Sequence, residues 1–302
     1  MPWRSYNSPF RSKEKSMAEL PETIASLNEI SGRYAAILSD VWGVLHNGET
    51  HYPAAAAALS AARESGLAVV MITNSPRPHG GVEEQFETIG VPSGSWDRVV
   101  TSGDVTRELV ATGPRKIFHL GPDRDLNFYD GLDVELVEEF EATTVVCTGL
   151  VDDEIETPDE YTEVLARLRA RNLPFVCANP DIVVERGDRL IWCAGALARD
   201  YSLLGGRTLI AGKPHRPIYE AALKAAGEVL GHEVSREEVL AIGDGMLTDV
   251  KGASDNGVDV LYISGGIHAA DYGHADNPEP GRLQAFLDRH GFHPVATMPK
   301  LR

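Results

Sequence analysis

Polar residues that suit phosphoryl chemistry follow short apolar runs at four points of the 302-residue chain. They are Asp40, the triplet Thr73-Asn74-Ser75, Lys213 within a Gly-Lys-Pro sequence, and Asp244 with Asp249. Carboxylates at this density suit Mg²⁺, which takes few protein ligands and keeps several waters. A lysine and backbone amides suit a phosphoryl group, and a carboxylate nucleophile can form an aspartyl-phosphate. Each residue alone also fits a turn or a helix cap, so the hypothesis depends on the ordered set.

The elements that must position these residues are predicted from apolar periodicity. β-Branched runs indicate strands at Tyr34–Asp40, Leu67–Asn74, Thr208–Gly212, Val239–Asp244 and Asp259–Ser264. Helical patterns alternate with them, among them the Ala-rich Pro53–Glu64 and the amphipathic Arg216–Leu230. This alternation predicts an α/β fold with a doubly wound, Rossmann-like parallel sheet, in which ligands bind at the carboxyl ends of the strands.

The middle of the chain repeats the α/β pattern as a separate unit. Strand-like runs lie at Lys116–Leu120, Thr143–Gly149 and Pro174–Ala178, and a helical pattern covers Asp159–Ala170. We therefore predict a second domain, residues 93–205, inserted into a core formed by residues 23–92 and 206–302. The first sixteen residues are polar and basic and lack the apolar segment of a secretory signal, so we expect residues 1–22 to form a flexible leader.

The order of the polar residues resembles the four motifs of the haloacid dehalogenase (HAD) superfamily. Asp40 matches the nucleophile, Thr73 the hydroxyl of motif two, Lys213 the lysine of motif three, and Asp244 with Asp249 the acidic motif. Thr73 and Lys213 are 140 residues apart, whereas a strand–helix unit needs roughly thirty, so about a hundred residues are inserted where the superfamily places its C2 caps. The segments that resemble the NagD-like, class IIA branch are Ala178–Asp181, Gly195–Leu197 and Gly212–Pro214.

The resemblance implies a role for each of these residues. Asp40 would attack phosphorus and also bind Mg²⁺, together with the backbone carbonyl of Trp42 and with Asp244, while Asp249 would orient the metal shell or the lysine. The catalytic residues would be Asp40, Thr73 and Lys213. The residues that would hold the phosphoryl group or select the substrate are Thr73, Asn74, Ser75, Lys213, Asn179 and Asp181.

One position departs from the superfamily pattern. Its phosphatases usually carry a second Asp two residues after the nucleophile, which protonates the leaving group, and here that position is Trp42. An indole cannot exchange a proton usefully near neutral pH, and general acid–base catalysis is worth about 10²–10⁴-fold. Three explanations stay open: another residue donates the proton, the substrate needs no acid, or the protein binds a phosphorylated ligand without turnover. The candidate histidines are His46, His215 and His268.

The predicted function is thus Mg²⁺-dependent hydrolysis of a small phosphorylated metabolite through an aspartyl-phosphate, with weakened acid–base catalysis. The alternative is a HAD-fold sensor or interaction module that binds a phosphorylated ligand. Arg77, just past motif two, is a cation that could reach a substrate anion. A dinucleotide-dependent oxidoreductase is disfavoured because Asp40–Gly48 lacks the glycine fingerprint of that class.

Composition limits the partners and the compartment. A net charge of −17 repels nucleic acid and anionic membranes, so an anion site must carry its own positive charge. No apolar run approaches the roughly 20 residues that span a bilayer. Cys147, Cys177 and Cys193 lack metal-like spacing and indicate buried, reduced thiols, as in a cytoplasmic protein. Cap-mediated dimers occur in similar proteins, so a homodimer is a further expectation.

Overall fold

The structure is a computed structural model that describes residues 21–187 and 189–302. The predicted leader, residues 1–22, lies outside the described residues except for its last two. Of these, Glu22 begins the two-residue strand Glu22–Thr23, which pairs in parallel with Ala296–Met298. The core therefore includes Glu22, one residue earlier than predicted.

Seven parallel strands form the larger sheet of the described chain. Their spatial order is Glu22–Thr23, Ala296–Met298, Asp259–Ile263, Val239–Gly243, Ala36–Ser39, Ala68–Thr73 and Arg98–Thr101. In the strand Ala36–Ser39, Ile37 packs into the core on one face, whereas Ala36 and Leu38 pack into the core on the other. Burial on both faces explains why the central strands have continuous apolar sequences.

Helices cover both faces of this core sheet. Pro53–Glu64 and His79–Thr88 pack on the Ile37 face, and Arg216–Leu230 and Pro280–His290 pack on the other. The shorter elements are the helices Asn28–Ser31, Ser102–Ala111, Lys251–Asp255 and Ala269–Tyr272, 3₁₀ turns at Ser93–Ser95 and Arg236–Glu238, a π-helical turn at Met246–Val250, and the paired strands Gly273–His274 and Asn277–Pro278. The predicted doubly wound α/β fold is confirmed.

A second parallel sheet forms the centre of the inserted cap. Its strand order is Thr208–Ile210, Phe175–Cys177, Thr144–Cys147, Lys116–Leu120 and Glu135–Leu136. Two helices, Thr162–Ala170 and Ala194–Leu203, share one apolar cluster with this sheet. The other cap elements are 3₁₀ segments at Asp123–Tyr129 and Pro158–Tyr161 and an antiparallel strand pair, Val183–Arg186 with Arg189–Trp192, which we call the cap hairpin.

Two strands belong to a different sheet from the one predicted. Thr208–Ile210, predicted in the core, pairs with Phe175–Cys177 of the cap. Arg98–Thr101, predicted in the cap, pairs with Ala68–Thr73 of the core. The predicted boundaries near residues 93 and 206 are therefore wrong. Both strands are short, and their parallel partners lie far away in the chain, so a local apolar run does not identify the sheet that each strand joins.

Two further predictions concern the cysteines and membrane-spanning segments. Cys147, Cys177 and Cys193 are free and buried. None of the helices in the described part of the chain combines the length and apolar character needed to cross a bilayer.

Candidate active site

Three neighbouring core strands end at one edge of the sheet, and each delivers a polar side chain there. Asp40 directly follows Ala36–Ser39, Thr73 ends Ala68–Thr73, and Asp244 directly follows Val239–Gly243. The strands are adjacent and parallel, so their carboxyl ends bring these groups together. All three side chains are buried and line one cavity between core and cap, with a volume of about 300 Å³.

Three carboxylates converge at the floor of this cavity. One oxygen from each of Asp40, Asp244 and Asp249 lies within 4.8 Å of the others. Burial, followed by the charge of Asp249, raises the pKa of Asp40 well above its usual range and that of Asp244 to about 7. Carboxylates crowded in this way repel one another, and a divalent cation between them would relieve the repulsion.

Two glycines let the backbone approach this carboxylate cluster closely. A Cβ at Gly43, whose φ of +78° is left-handed, would lie 2.2 Å from Asp244 Oδ2, and one at Gly266 would lie 2.0 Å from it. The backbone amide of Ile267 also donates to Asp244 Oδ2 at 2.8 Å.

Among the described residues, no backbone amide donates to the carbonyl of Trp42. Buried oxygens of this kind and spacing fit Mg²⁺.

Lys213 brings the positive charge of the site from the cap side. It comes three residues after the cap strand Thr208–Ile210 rather than after a core strand as predicted. Its Nζ donates to Asp40 Oδ1 at 2.6 Å and to Asp249 Oδ1 at 2.7 Å. Burial lowers the pKa of Lys213, but the charges of Asp249 and Asp40 more than offset this and raise it, so Lys213 is a cation at neutral pH.

Asn74 holds the lysine segment in place rather than lining the cavity. Its Oδ1 accepts the Lys213 backbone N–H at 2.7 Å, and its Nδ2 donates to the Lys213 carbonyl at 3.2 Å and to Asp181 Oδ1 at 2.8 Å. These contacts use both the donor and the acceptor sides of the Asn74 amide. Asn74 was predicted to bind substrate, whereas the structure makes it the link between the core, Lys213 and Asp181.

The remaining predicted substrate residues lie where the sequence placed them, around the cavity. Thr73, Ser75, Asn179 and Asp181 line it together with Lys213. Thr73 Oγ1 accepts the backbone N–H of Ser75 at 3.2 Å, and Asn179 Oδ1 accepts that of Asp181 at 3.1 Å. Core and cap therefore both contribute polar groups to the cavity wall.

Comparison with known proteins decides the family. Two family models match, a haloacid dehalogenase-like hydrolase over residues 37–135 and a HAD-hydrolase-like model over residues 210–288. A solved structure of a hydrolase of the haloacid dehalogenase-like family from Brucella suis 1330 is 61% identical, with a TM-score of 0.84 over 94% of this chain and 100% of that chain. The chain is a haloacid dehalogenase-like hydrolase.

Two curated relatives indicate the branch of the family to which this hydrolase belongs. Ribonucleotide monophosphatase NagD of Escherichia coli K12 is 24% identical over 246 residues, which cover 78% of this chain and 89% of NagD. The 5'-nucleotidase YutF of Bacillus subtilis is 23% identical over 253 residues, covering 82% of this chain and 93% of YutF. The predicted NagD-like, class IIA membership is confirmed.

Trp42 of this hydrolase faces the cavity at the position that usually carries the second Asp. Its ring packs over Gly48, where a Cβ would come within 2.5 Å of the indole. The ring of His46 lies edge-on to it, with 5.1 Å between centroids. The indole is thus fixed by packing beside the catalytic floor and supplies no exchangeable acid.

None of the three candidate histidines lines the cavity. His46 is fully buried behind Trp42, its Nδ1 accepts the Gly48 backbone N–H at 2.9 Å, and burial lowers its pKa to about 4. His215 is exposed, and His268 Nε2 accepts the Met246 backbone N–H at 3.3 Å. The structure therefore gives no support to a histidine as the missing acid.

Six cap residues that were not predicted from the sequence close the far side of the cavity. These are Arg124, Asp125, Thr148, Asp153, Glu185 and Arg186. Glu185 and Arg186 belong to the cap hairpin, whose signal was visible as a Gly-Asp pair between two runs of β-branched and apolar residues. Arg124 and Asp125 lie in a 3₁₀ segment without periodicity, and no sequence pattern pointed to them.

Proposed function

We propose that this protein is a Mg²⁺-dependent phosphatase that hydrolyses a small phosphorylated metabolite through an aspartyl-phosphate at Asp40. The observation that carries this proposal is the pairing of Lys213 with both Asp40 and Asp249 beside a third buried carboxylate, Asp244. Structural packing alone does not require three carboxylates around one lysine, since buried charges are costly to desolvate. Binding of a cation and a phosphoryl group accounts for them.

The relatives support the choice of phosphate monoesters. NagD is named a ribonucleotide monophosphatase and YutF a 5'-nucleotidase, and each aligns over most of its own length. The cavity is small, about 300 Å³, which suits a small metabolite rather than a polymer.

Each residue at the floor of the cavity would have a separate role in the first step. One Asp40 oxygen attacks phosphorus, the bond from phosphorus to the leaving oxygen breaks, and that oxygen leaves with its electron pair. Lys213 and the Thr73 hydroxyl offset the charge on the phosphoryl oxygens. Asp40, Asp244 and the Trp42 carbonyl would hold Mg²⁺, with Asp249 fixing Lys213. When bound, Mg²⁺ supplies further charge neutralisation at the phosphoryl group.

Trp42 restricts which substrates would turn over well. With no acid at this position, the leaving oxygen departs unprotonated, so good leaving groups are favoured and simple alkyl esters react slowly. The same observation favours a second candidate function, in which the protein binds a phosphorylated ligand as a sensor.

The discriminating experiment is a panel of phosphorylated metabolites assayed for phosphate release, with Mg²⁺ and with EDTA, beside thermal-shift binding. We expect Mg²⁺-dependent release that disappears in Asp40→Asn. Turnover that persists in Asp40→Asn would refute the proposed nucleophile, and ligand binding without any release would favour the sensor.

A further inference from the structure

The far side of the cavity carries three arginines in an otherwise acidic protein. Arg77 comes from the core, and Arg124 and Arg186 come from the cap. The carboxylates on the same wall are those of Asp125, Asp153 and Glu185. We call these six residues the arginine wall. Its three arginines balance its three carboxylates, whereas the whole chain carries −17.

The ion pairs on this wall involve two of the three arginines. Arg124 and Arg186 share one carboxylate, with contacts to Asp153 Oδ2 of 2.5 Å and 3.1 Å. Arg186 also contacts Glu154 at 2.6 Å. A guanidinium has five N–H donors, so both arginines keep donors for a further acceptor. In the described chain, the Arg77 side chain forms no ion pair.

Further polar groups of the wall lie beside the arginines. Asp125 is buried, and burial raises its pKa. The Thr148 hydroxyl and the charges of Arg124 and Arg77 act against this rise. Thr148 is 2% exposed and lines the cavity beside Asp125.

We propose that the arginine wall binds a second anionic group, a carboxylate or a phosphate, on the leaving-group side of the substrate. The inference rests on the proposed function, because it takes the phosphoryl group to lie at Asp40. The substrate class is then a phosphate monoester whose leaving group is itself an anion. Arg77 is the main contact, since its charge is free, and planar guanidinium groups match both carboxylate and phosphate oxygens.

Two stable ligands of equal shape test the proposal without turnover. 4-Nitrobenzylphosphonate and 4-carboxybenzylphosphonate share the phosphonate and differ in a planar end group that is neutral in one and anionic in the other. Isothermal titration calorimetry with Mg²⁺ gives their dissociation constants. We expect the carboxylate ligand to bind more tightly, and Arg77→Gln to reduce that preference about tenfold, the loss of one charge-assisted contact. A bisphosphonate with the same ring reports whether phosphate replaces carboxylate.

The matched control is Arg216→Gln, which removes an equal charge from an exposed arginine that does not line the cavity. It should leave the preference unchanged. Equal affinity of the wild-type protein for the nitro and carboxylate ligands would overturn the proposal, as would a preference that both Arg77→Gln and Arg186→Gln retain. Hydrolysis of p-nitrophenyl phosphate, measured in parallel, separates the two proposals. An arginine-dependent preference without hydrolysis refutes only the phosphatase, and hydrolysis without the preference refutes only the arginine wall.

Discussion

At the scale of single residues, the floor of the cavity is electrostatically unbalanced. Asp40, Asp244 and Asp249 face one another across less than 5 Å, and Lys213 is the cation that contacts two of them. Burial raises the pKa of Asp40 and of Asp244 because the charged carboxylates lose solvation. A bound cation would reverse this effect, so the proposed binding of a metal and of a phosphoryl group does not depend on the acid that is missing at Trp42.

Restoring that acid should raise the hydrolysis rate. In Trp42→Asp, a carboxyl group can protonate the leaving oxygen, and we expect kcat for an alkyl phosphate to rise by about 10²-fold or more. The rise should be smaller for p-nitrophenyl phosphate, whose leaving group needs little help. Trp42→Asn, which opens the same space without a titratable proton, is the control. If both variants changed kcat equally, leaving-group protonation would not be the limiting step.

His46 should make folding stability depend on pH in a defined direction. Burial lowers its pKa from 6.5 to about 4, so between these values the unfolded chain binds more protons than the folded one. The free energy of unfolding should therefore fall as pH drops through this window, by about 2 kcal/mol from His46 alone at pH 5. Urea denaturation at pH 7 and pH 5 measures this loss.

The variant that isolates this effect is His46→Asn, because its amide can still accept the Gly48 N–H. It should lose about 2 kcal/mol less than the wild type between the two pH values. His274→Asn, at a largely exposed position, should behave like the wild type. An unchanged pH dependence in His46→Asn would mean that the buried imidazole is not neutral.

At the scale of elements, the site depends on segments that meet it from two domains. Three core strands end beside the carboxylate cluster, and the last cap strand leads into Lys213. Asn74 connects them, since one amide holds the backbone of Lys213 and the carboxylate of Asp181. A shift of the cap relative to the core would therefore move the lysine as well as the cap residues.

The loop after the strand Ala36–Ser39 gives a direct test of the close packing at the site. Gly43→Ala adds a methyl group 2.2 Å from Asp244 Oδ2 and should lower Mg²⁺ affinity at least about tenfold by displacing that carboxylate. Gly66→Ala is the control, because Gly66 also has a left-handed φ, +99°, but open space around its Cβ position. Each change should cost about 1–2 kcal/mol of stability. Calorimetric titration with Mg²⁺ should show a loss in Gly43→Ala alone.

Most of the strands and helices could be predicted from sequence, and the wrong assignments of strands to sheets have physical causes. The strands Ala68–Thr73 and Val239–Gly243 are nearly continuous apolar runs, and the site residues Thr73 and Asp244 end or follow them. The sheet that Thr208–Ile210 joins depends on pairing with a segment 33 residues earlier, Phe175–Cys177, which periodicity does not encode. The arginine wall is assembled from loops and a hairpin, so its residues have no common sequence pattern.

At the scale of the whole molecule, the acidic surface and the cationic residues of the cavity have opposite electrostatic effects on an anionic ligand. A net charge of −17 repels phosphorylated ligands over long range. In the proposed binding mode, Lys213 and the arginines of the arginine wall would attract the two anionic groups of the substrate inside the cavity. The proposed hydrolase would thus select its substrate by the charge of the leaving group.

The central claim is that Asp40 is phosphorylated during turnover, and chemical trapping tests it most directly. With Trp42 in place of the residue that activates water, the aspartyl-phosphate should also break down slowly and accumulate. Incubation with p-nitrophenyl phosphate and Mg²⁺, an acid quench and reduction with tritiated borohydride convert an acyl phosphate to labelled homoserine. Peptide mapping should place the label at Asp40 only when both substrate and Mg²⁺ are present. Phosphate release with no label at Asp40, or with label at another carboxylate, would contradict the account.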